Sequence, residues 1–155
     1  MGAFQDIFFL RHGMSDEGCE GLNKKGIEQM EEAGNFLKGK FPVSSWKIYT
    51  SPGPRAKESG KLVSRILDCE VDEGALLFKP KDETTLVLHE VLRVLAELRG
   101  VEKEKILIIT NGKFLKDVVA QVSNTSNIQI PSINFSRGSA NVIWIENSCW
   151  EFKEF

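Results

Sequence analysis

The sequence predicts an α/β fold: a three-layer α/β/α sandwich around a mostly parallel sheet. The continuously apolar run Ile7-Phe8-Phe9-Leu10 reads as a strand covered on both faces, and Ile106-Leu107-Ile108-Ile109-Thr110 reads as a second buried strand. Segments of helical periodicity lie between and after such runs. Strands that alternate with helices are joined by crossovers in a parallel sheet, and ligands then bind beyond the carboxyl ends of the strands.

The elements follow in order. Gly13 and Gly18 punctuate the loop behind the first strand. Asn23 caps a helix whose apolar members Ile27, Met30, Ala33, Gly34 and Leu37 recur at helical spacing, ending near Gly39 and Pro42. Trp46 to Thr50 is a short strand. The breakers Ser51-Pro52-Gly53-Pro54 come next, with Pro54 suited to the first turn of a helix. That helix reaches about Leu67 along the stripe Ala56, Leu62, Val63 and Ile66. Glu70-Val71-Asp72 reads as a brief edge strand and residues 73–81 as loop. Leu88, Val91, Leu92, Leu95 and Leu98 predict a long amphipathic helix from Glu83 to Arg99, ended by Gly100. After the second apolar strand, Asn111-Gly112 reads as a turn and Phe114 to Val122 as a helix. Asn141 to Ile145 and Trp150 to Phe155 read as a hairpin around Asn147-Ser148.

With 155 residues, 41% hydrophobic and 27% charged, the chain suits one soluble domain over residues 1–155, and no repeat or linker-like stretch divides it. A net charge of -2 offers no general attraction for nucleic acid or anionic lipid, so neither partner is expected. The N-terminus lacks a basic segment followed by an apolar core. Nowhere do about 18 apolar residues follow one another, so neither secretion nor membrane insertion is expected. Cys19, Cys69 and Cys149 fit neither a disulfide framework nor a zinc site, and free thiols in a reducing cytoplasm are the plain reading. Oligomeric state depends on surface detail that the sequence does not specify.

Three strand ends carry Arg11-His12-Gly13, Ser51-Pro52-Gly53-Pro54-Arg55 and Thr110-Asn111-Gly112-Lys113. In a parallel sheet these distant segments converge. Two arginines offer planar forks for phosphate oxygens, Arg55 stands at a helix N-terminus that favours anions, and His12 between them is able to act as a nucleophile.

These residues resemble the histidine phosphatase superfamily, also called phosphoglycerate mutase-like, whose hallmark is Arg-His-Gly after the first strand. Leu22, Gly26 and Gln29 are similar to its Leu-Thr-x-x-Gly-x-x-Gln segment, and Ser51 to Ala56 to its Ser-Pro-x-x-Arg-Ala segment. The resemblance covers about the first 65 residues. It implies the phosphoglycerate mutase-like version of the sandwich and a metal-free, cofactor-free phosphohydrolase. His12 attacks phosphorus in line, Arg11 and Arg55 hold the equatorial oxygens, and water later hydrolyses the phosphohistidine. A backbone carbonyl accepting from the other ring nitrogen would fix the tautomer of His12.

The chain departs from the family at the expected second histidine, where Asn111 stands before Gly112. Asparagine can donate an amide hydrogen bond to a phosphoryl oxygen but carries no charge. Neutral hydrogen bonds net about 1 kcal/mol against about 1.5–3 for charged ones, so the exchange alone costs around one decade in rate. Lys113 could restore the charge, although its place in the first helical turn faces it to solvent. His89 shares a helix face with Glu90, Arg93 and Glu97 and reads as a solvated surface residue. Met14 stands where relatives often carry a polar residue, leaving Ser15 or Asp16 to take its place. Ser15 is a candidate phosphate ligand, alongside a plain role in the turn.

Ester substrates need a general acid. Glu73, Asp82 and Glu83 are available, with Asp82 equally suited to capping the long helix and the others to surface charge. A short chain without an evident acid resembles the small phosphohistidine phosphatases, whose nitrogen leaving group takes its proton from water. The expected partner is therefore a phosphorylated protein or a small phosphorylated substrate. The alternative is a phospholigand-binding or regulatory domain on the same scaffold, with turnover lost through Asn111. None of the cysteines has an arginine six positions later, no Asp-x-Asp follows the first strand, and no Walker motif is present, which sets aside other phosphatase chemistries.

Overall fold

The structure, a computed structural model, describes residues 7–73, 104–133, 135–136 and 138–155. The expected helix over Glu83–Arg99, with His89, and the carboxylates Asp82 and Glu83 lie outside the described residues.

Alternating side chains along the apolar strands explain the layers. Ile7 and Phe9, with Ile106 and Ile108, pack on one side against Leu115, Val118, Val119 and Val122. Phe8 and Leu10, with Leu107 and Ile109, pack on the other against Met30, Ala33, Leu37, Ala56 and Val63. Fully burying each of the larger side chains among these contributes about 1.5–3 kcal/mol, more than a typical single hydrogen bond nets. A strand that must satisfy both faces therefore reads as a continuous apolar run.

The strands are β1 (Ile7–Arg11), β2 (Ser45–Thr50), β3 (Glu70–Asp72), β4 (Glu104–Thr110), β5 (Asn141–Glu146) and β6 (Cys149–Glu154). They form one sheet in the order β3-β2-β4-β1-β5-β6. β3, β2, β4 and β1 are mutually parallel, while β5 runs antiparallel to β1 and β6. Helices α1 (Lys24–Lys40) and α2 (Pro54–Leu67) cover one face and α3 (Gly112–Ser126) the other. The expected three-layer α/β/α sandwich is thus observed.

Helix starts follow local chemistry. The Asn23 side-chain oxygen accepts from the Gly26 amide at 2.8 Å, and Pro54 opens α2. One expectation is corrected: Asn111-Gly112 is not a turn ahead of a helix from Phe114. The Asn111 side-chain oxygen accepts from the Phe114 amide at 2.8 Å, which caps α3 and starts it at Gly112. Asn147 and Ser148 both take positive φ, 52° and 62°, as a two-residue hairpin requires. The Trp150 indole donates to Ser123 Oγ at 2.9 Å, tying that hairpin to α3.

At the carboxyl end of the sheet, Arg11 pairs with Thr110, and the His12 amide donates to the Thr110 carbonyl at 2.9 Å, carrying the ladder one residue further. The Ser51 amide donates to the Ile109 carbonyl at 3.0 Å on the other side of β4. The chain leaves β1 through α1 on one face and leaves β4 through α3 on the opposite face. A crevice therefore opens between neighbouring strand ends, where open α/β sheets bind ligands.

The loop after β1 lies directly on the first turn of α1. A Cβ on Gly13 would stand 2.5 Å from the Gly26 carbonyl oxygen, and one on Gly26 would overlap the Met14 carbonyl. Gly26→Ala is expected to destabilise the fold by about 1–3 kcal/mol through overpacking. At Gly39, in the same helix, an added Cβ meets nothing within 4 Å. Gly39→Ala should stabilise by up to about 1 kcal/mol. Urea unfolding midpoints of the two variants, moving in opposite directions, check the contact.

Candidate active site

His12 follows directly on β1, half-buried, and its orientation is set by the backbone around it. Nδ1 lies 3.0 Å from the carbonyl oxygen of Gly13. A carbonyl only accepts, so Nδ1 carries the proton and Nε2 keeps its lone pair. The Gly13 amide donates to Ser59 Oγ at 3.0 Å, a buried contact between the loop and α2.

Ser59 stands one helical turn after Arg55, so the two share a face of α2. Since Ser59 meets Gly13, Arg55 lies on the same side at the open N-terminal end of the helix, exposed and without a hydrogen bond or ion pair among the described residues. Its charge reaches His12. The imidazole pKa is lowered from its ordinary value first by burial and then by the positive charges of Arg11 and Arg55, against the raising effect of the Gly13 carbonyl. The N-cap of α2 is Gly53, which offers no side-chain cap, leaving first-turn amides uncapped at its positive end.

Arg11 is held more tightly. Its Nη1 donates to the carbonyls of Phe135, at 3.0 Å, and Ser136, at 2.6 Å. The guanidinium lies against Gly112, where a Cβ would approach the central carbon to 2.9 Å. Glycine at the start of α3 is thus what admits Arg11. Partial burial lowers the Arg11 pKa, but a guanidinium stays protonated in any case. Nε and Nη2 have no hydrogen-bond partner among the described residues.

Asn111 is exposed beside these groups at the end of β4. Its carbonyl is spent on the cap of α3, and its Nδ2 has no partner among the described residues. Ser15 is half-buried in the neck of the loop that the Asn23 amide closes on the Met14 carbonyl at 2.9 Å. The structure therefore brings Arg11, His12, Arg55, Asn111 and Gly112 to one end of the sheet, with Ser15 in the adjoining loop. Lys113 is exposed in the first turn of α3. Glu73 is paired with Lys61 at 3.8 Å.

Sequence reasoning missed Ser59, although its spacing of four from Arg55 was a usable signal. It noted Gln29 without a role, yet Gln29 is 3% exposed and accepts from the Met14 amide at 3.0 Å. The Phe135 and Ser136 carbonyls left no signal, because any residue supplies one. No helix among the described residues is long and apolar enough to cross a membrane.

Residues 7–77 match the family model of the histidine phosphatase superfamily, branch 1. No curated protein matches the chain in sequence. Among solved structures it is similar to an Agrobacterium tumefaciens protein assigned as the phosphohistidine phosphatase SixA, with a TM-score of 0.62 and 13% identity over 96% of each chain. A protein histidine phosphatase SixA solved with tungstate gives a TM-score of 0.60 and 19% identity, over 96% of this chain and 95% of that one. A mycobacterial glucosyl-3-phosphoglycerate phosphatase solved with VO3 gives 0.61 and 14%, over 94% of this chain and 96% of that one. These likenesses show a shared fold. Residues 7–77, which carry Arg11-His12-Gly13 and Arg55, have the sequence pattern of the histidine phosphatase superfamily, and the whole chain has the fold of histidine phosphatase structures.

Proposed function

We propose that this chain is a phosphohydrolase that uses His12 as its nucleophile through a phosphohistidine intermediate, with protein phosphohistidine as the substrate class. The observation that carries the reading is the 3.0 Å approach of His12 Nδ1 to the Gly13 carbonyl, which leaves Nε2 as the free nitrogen close to two arginines. In the first step the Nε2 lone pair forms a bond to phosphorus as the bond to the leaving group breaks. In the second, water attacks phosphorus and His12 leaves as neutral imidazole. Arg11, Arg55, the Nδ2 amide of Asn111, Gly112 and Ser15 form the phosphate-binding set, with the two guanidinium groups supplying the charge.

The nitrogen leaving group of a phosphohistidine takes its proton from water, which suits a site where Glu73 is engaged by Lys61. A neighbour of similar length and fold is named protein histidine phosphatase SixA, which is consistent with this substrate class. We take the working compartment to be the cytoplasm and the chain to act as one domain.

A second reading has its own observation. Asn111 is committed to capping α3 and contributes no charge. Binding is therefore expected to be less affected than turnover, and the chain could serve as a phospholigand-binding or regulatory domain.

Phosphate release from a phosphohistidine peptide and from p-nitrophenyl phosphate separates the two. His12→Ala is expected to abolish release, and mass spectrometry is expected to find a phosphoryl group on the wild-type chain during turnover but not on this variant. Asn111→His is expected to raise kcat by about tenfold. A wild type that releases nothing, beside an Asn111→His variant that does so through His12, would make the binding-domain reading the correct one.

Acidity gives an independent check. The folded pKa of His12 is lowered, so the ring is neutral at pH 7 and charges only below its ordinary range near pH 6.5. The corresponding stability is complete above about pH 6.5 and is lost as pH falls through the folded pKa. Arg55→Gln removes one of the depressing charges. NMR titration should show His12 protonating at higher pH in that variant, and the acid limb of kcat/KM should move up with it; an unmoved titration would separate Arg55 from the site.

A further inference from the structure

Gln29 lies near the start of α1 with its side chain buried. A buried amide needs partners, and this one has three. Oε1 accepts from the Met14 amide at 3.0 Å, while Nε2 donates to the carbonyls of Gly138, at 2.9 Å, and Phe155, at 3.3 Å. An N–H cannot accept and a carbonyl cannot donate, so these partners fix which way the amide faces.

The Met14 N–H and the Gly13 C=O belong to one peptide unit. That unit is planar and trans, so its N–H and C=O point in opposite directions. Gln29 holds the N–H, and the C=O on the other side is the group 3.0 Å from His12 Nδ1. Turning the peptide away from Gln29 would turn its carbonyl away from the imidazole. The preceding peptide is held separately, through the Gly13 amide on Ser59 Oγ.

We propose that Gln29 is a positioning residue for His12: by gripping the Met14 amide it holds the Gly13–Met14 peptide in the orientation that keeps Nδ1 protonated and Nε2 open. The hydrogen bonds form a chain from Gly138 through Gln29 and the peptide to the imidazole, each polarising the next. Residues 135–136, just before Gly138, also anchor Arg11. One stretch of backbone thus steadies both the nucleophile and its neighbouring cation. The catalytic consequence rests on the reading of His12 as nucleophile, but the control of its tautomer does not.

The test is long-range 1H–15N NMR of the His12 ring in the whole chain at neutral pH, comparing wild type with Gln29→Met, Gln29→Asn and Ser59→Ala. Wild type should show Nδ1 protonated and Nε2 bare. Gln29→Met should populate the opposite tautomer severalfold more, with kcat on phosphohistidine peptide lowered about tenfold at unchanged KM. Gln29→Asn keeps the amide but retracts it by one methylene, and should give the same shift if Gln29→Met does not fold. Ser59→Ala frees the other peptide and should leave the tautomer as in wild type. The proposal is overturned if a folded Gln29 variant keeps the wild-type tautomer, or if Ser59→Ala shifts it equally. The ring spectrum is read in the resting protein, so loss of phosphatase activity throughout would count against the proposed function and leave this proposal to be decided by NMR.

Discussion

The parallel pairing of β1 with β4 is the constraint on which the site depends. The two strands are far apart in sequence, and each continues into a polar segment that has no apolar reason to be where it is. Their register places Arg11 opposite Thr110, and the next bond, from the His12 amide to the Thr110 carbonyl, aligns His12 with the start of α3. Because α1 and α3 leave on opposite faces, no helix closes over this point from either strand. The apolar residues of β1 and β4 thus do two things. They supply the burial of the two central strands, and they bring Arg11, His12 and the capped start of α3 together at the carboxyl end of the sheet.

Holding a neutral imidazole next to two guanidinium groups would be unfavourable for a base that had to carry charge. For a nucleophile it is an advantage. Burial and both arginines oppose protonation of His12, and backbone groups, the Gly13 carbonyl foremost, favour it. The charges that keep the ring neutral are also the ones that would attract a phosphoryl group. Arg11 and Arg55 reach this arrangement by different means. Arg11 is anchored by two carbonyls and rests on Gly112, whereas Arg55 is exposed at the end of α2. The first behaves as part of the frame, while the second, at the start of α2, has no hydrogen bond or ion pair among the described residues.

Much of this was legible in the sequence. The continuous apolar runs marked β1 and β4, Pro54 marked the start of α2, and Asn147-Ser148 marked the hairpin, because each reflects a local rule of burial or backbone geometry. The placement of Arg11, His12, Arg55 and Asn111 at the carboxyl ends of the strands followed from the fold class. What was hidden depends on tertiary approach. That Gly13 and Gly26 touch, that Ser59 and Gln29 hold consecutive peptides, and that Arg11 ends on the carbonyls of residues 135–136 cannot be read from spacing. Backbone acceptors in particular carry no residue signature. Asn111-Gly112 was misread as a turn for a related reason: asparagine before glycine suits both a turn and a helix cap, and only the bond to Phe114 decides between them.

That cap changes how the missing histidine should be understood. From the sequence alone Asn111 is a loss, one charged donor exchanged for a neutral one. In the structure it starts α3 two residues earlier than expected, beneath the guanidinium of Arg11. An asparagine N-cap contributes about 0.5–2 kcal/mol over a residue that cannot cap, comparable to what the charge of a histidine would add to a single hydrogen bond. The position therefore sets two demands against each other. A histidine there would lose the side-chain bond to the Phe114 amide and loosen the first turn, with Gly112 and hence the seat of Arg11 next in line. Asparagine satisfies the helix with its side-chain oxygen, so what the position loses in charge it returns as rigidity under the guanidinium of Arg11.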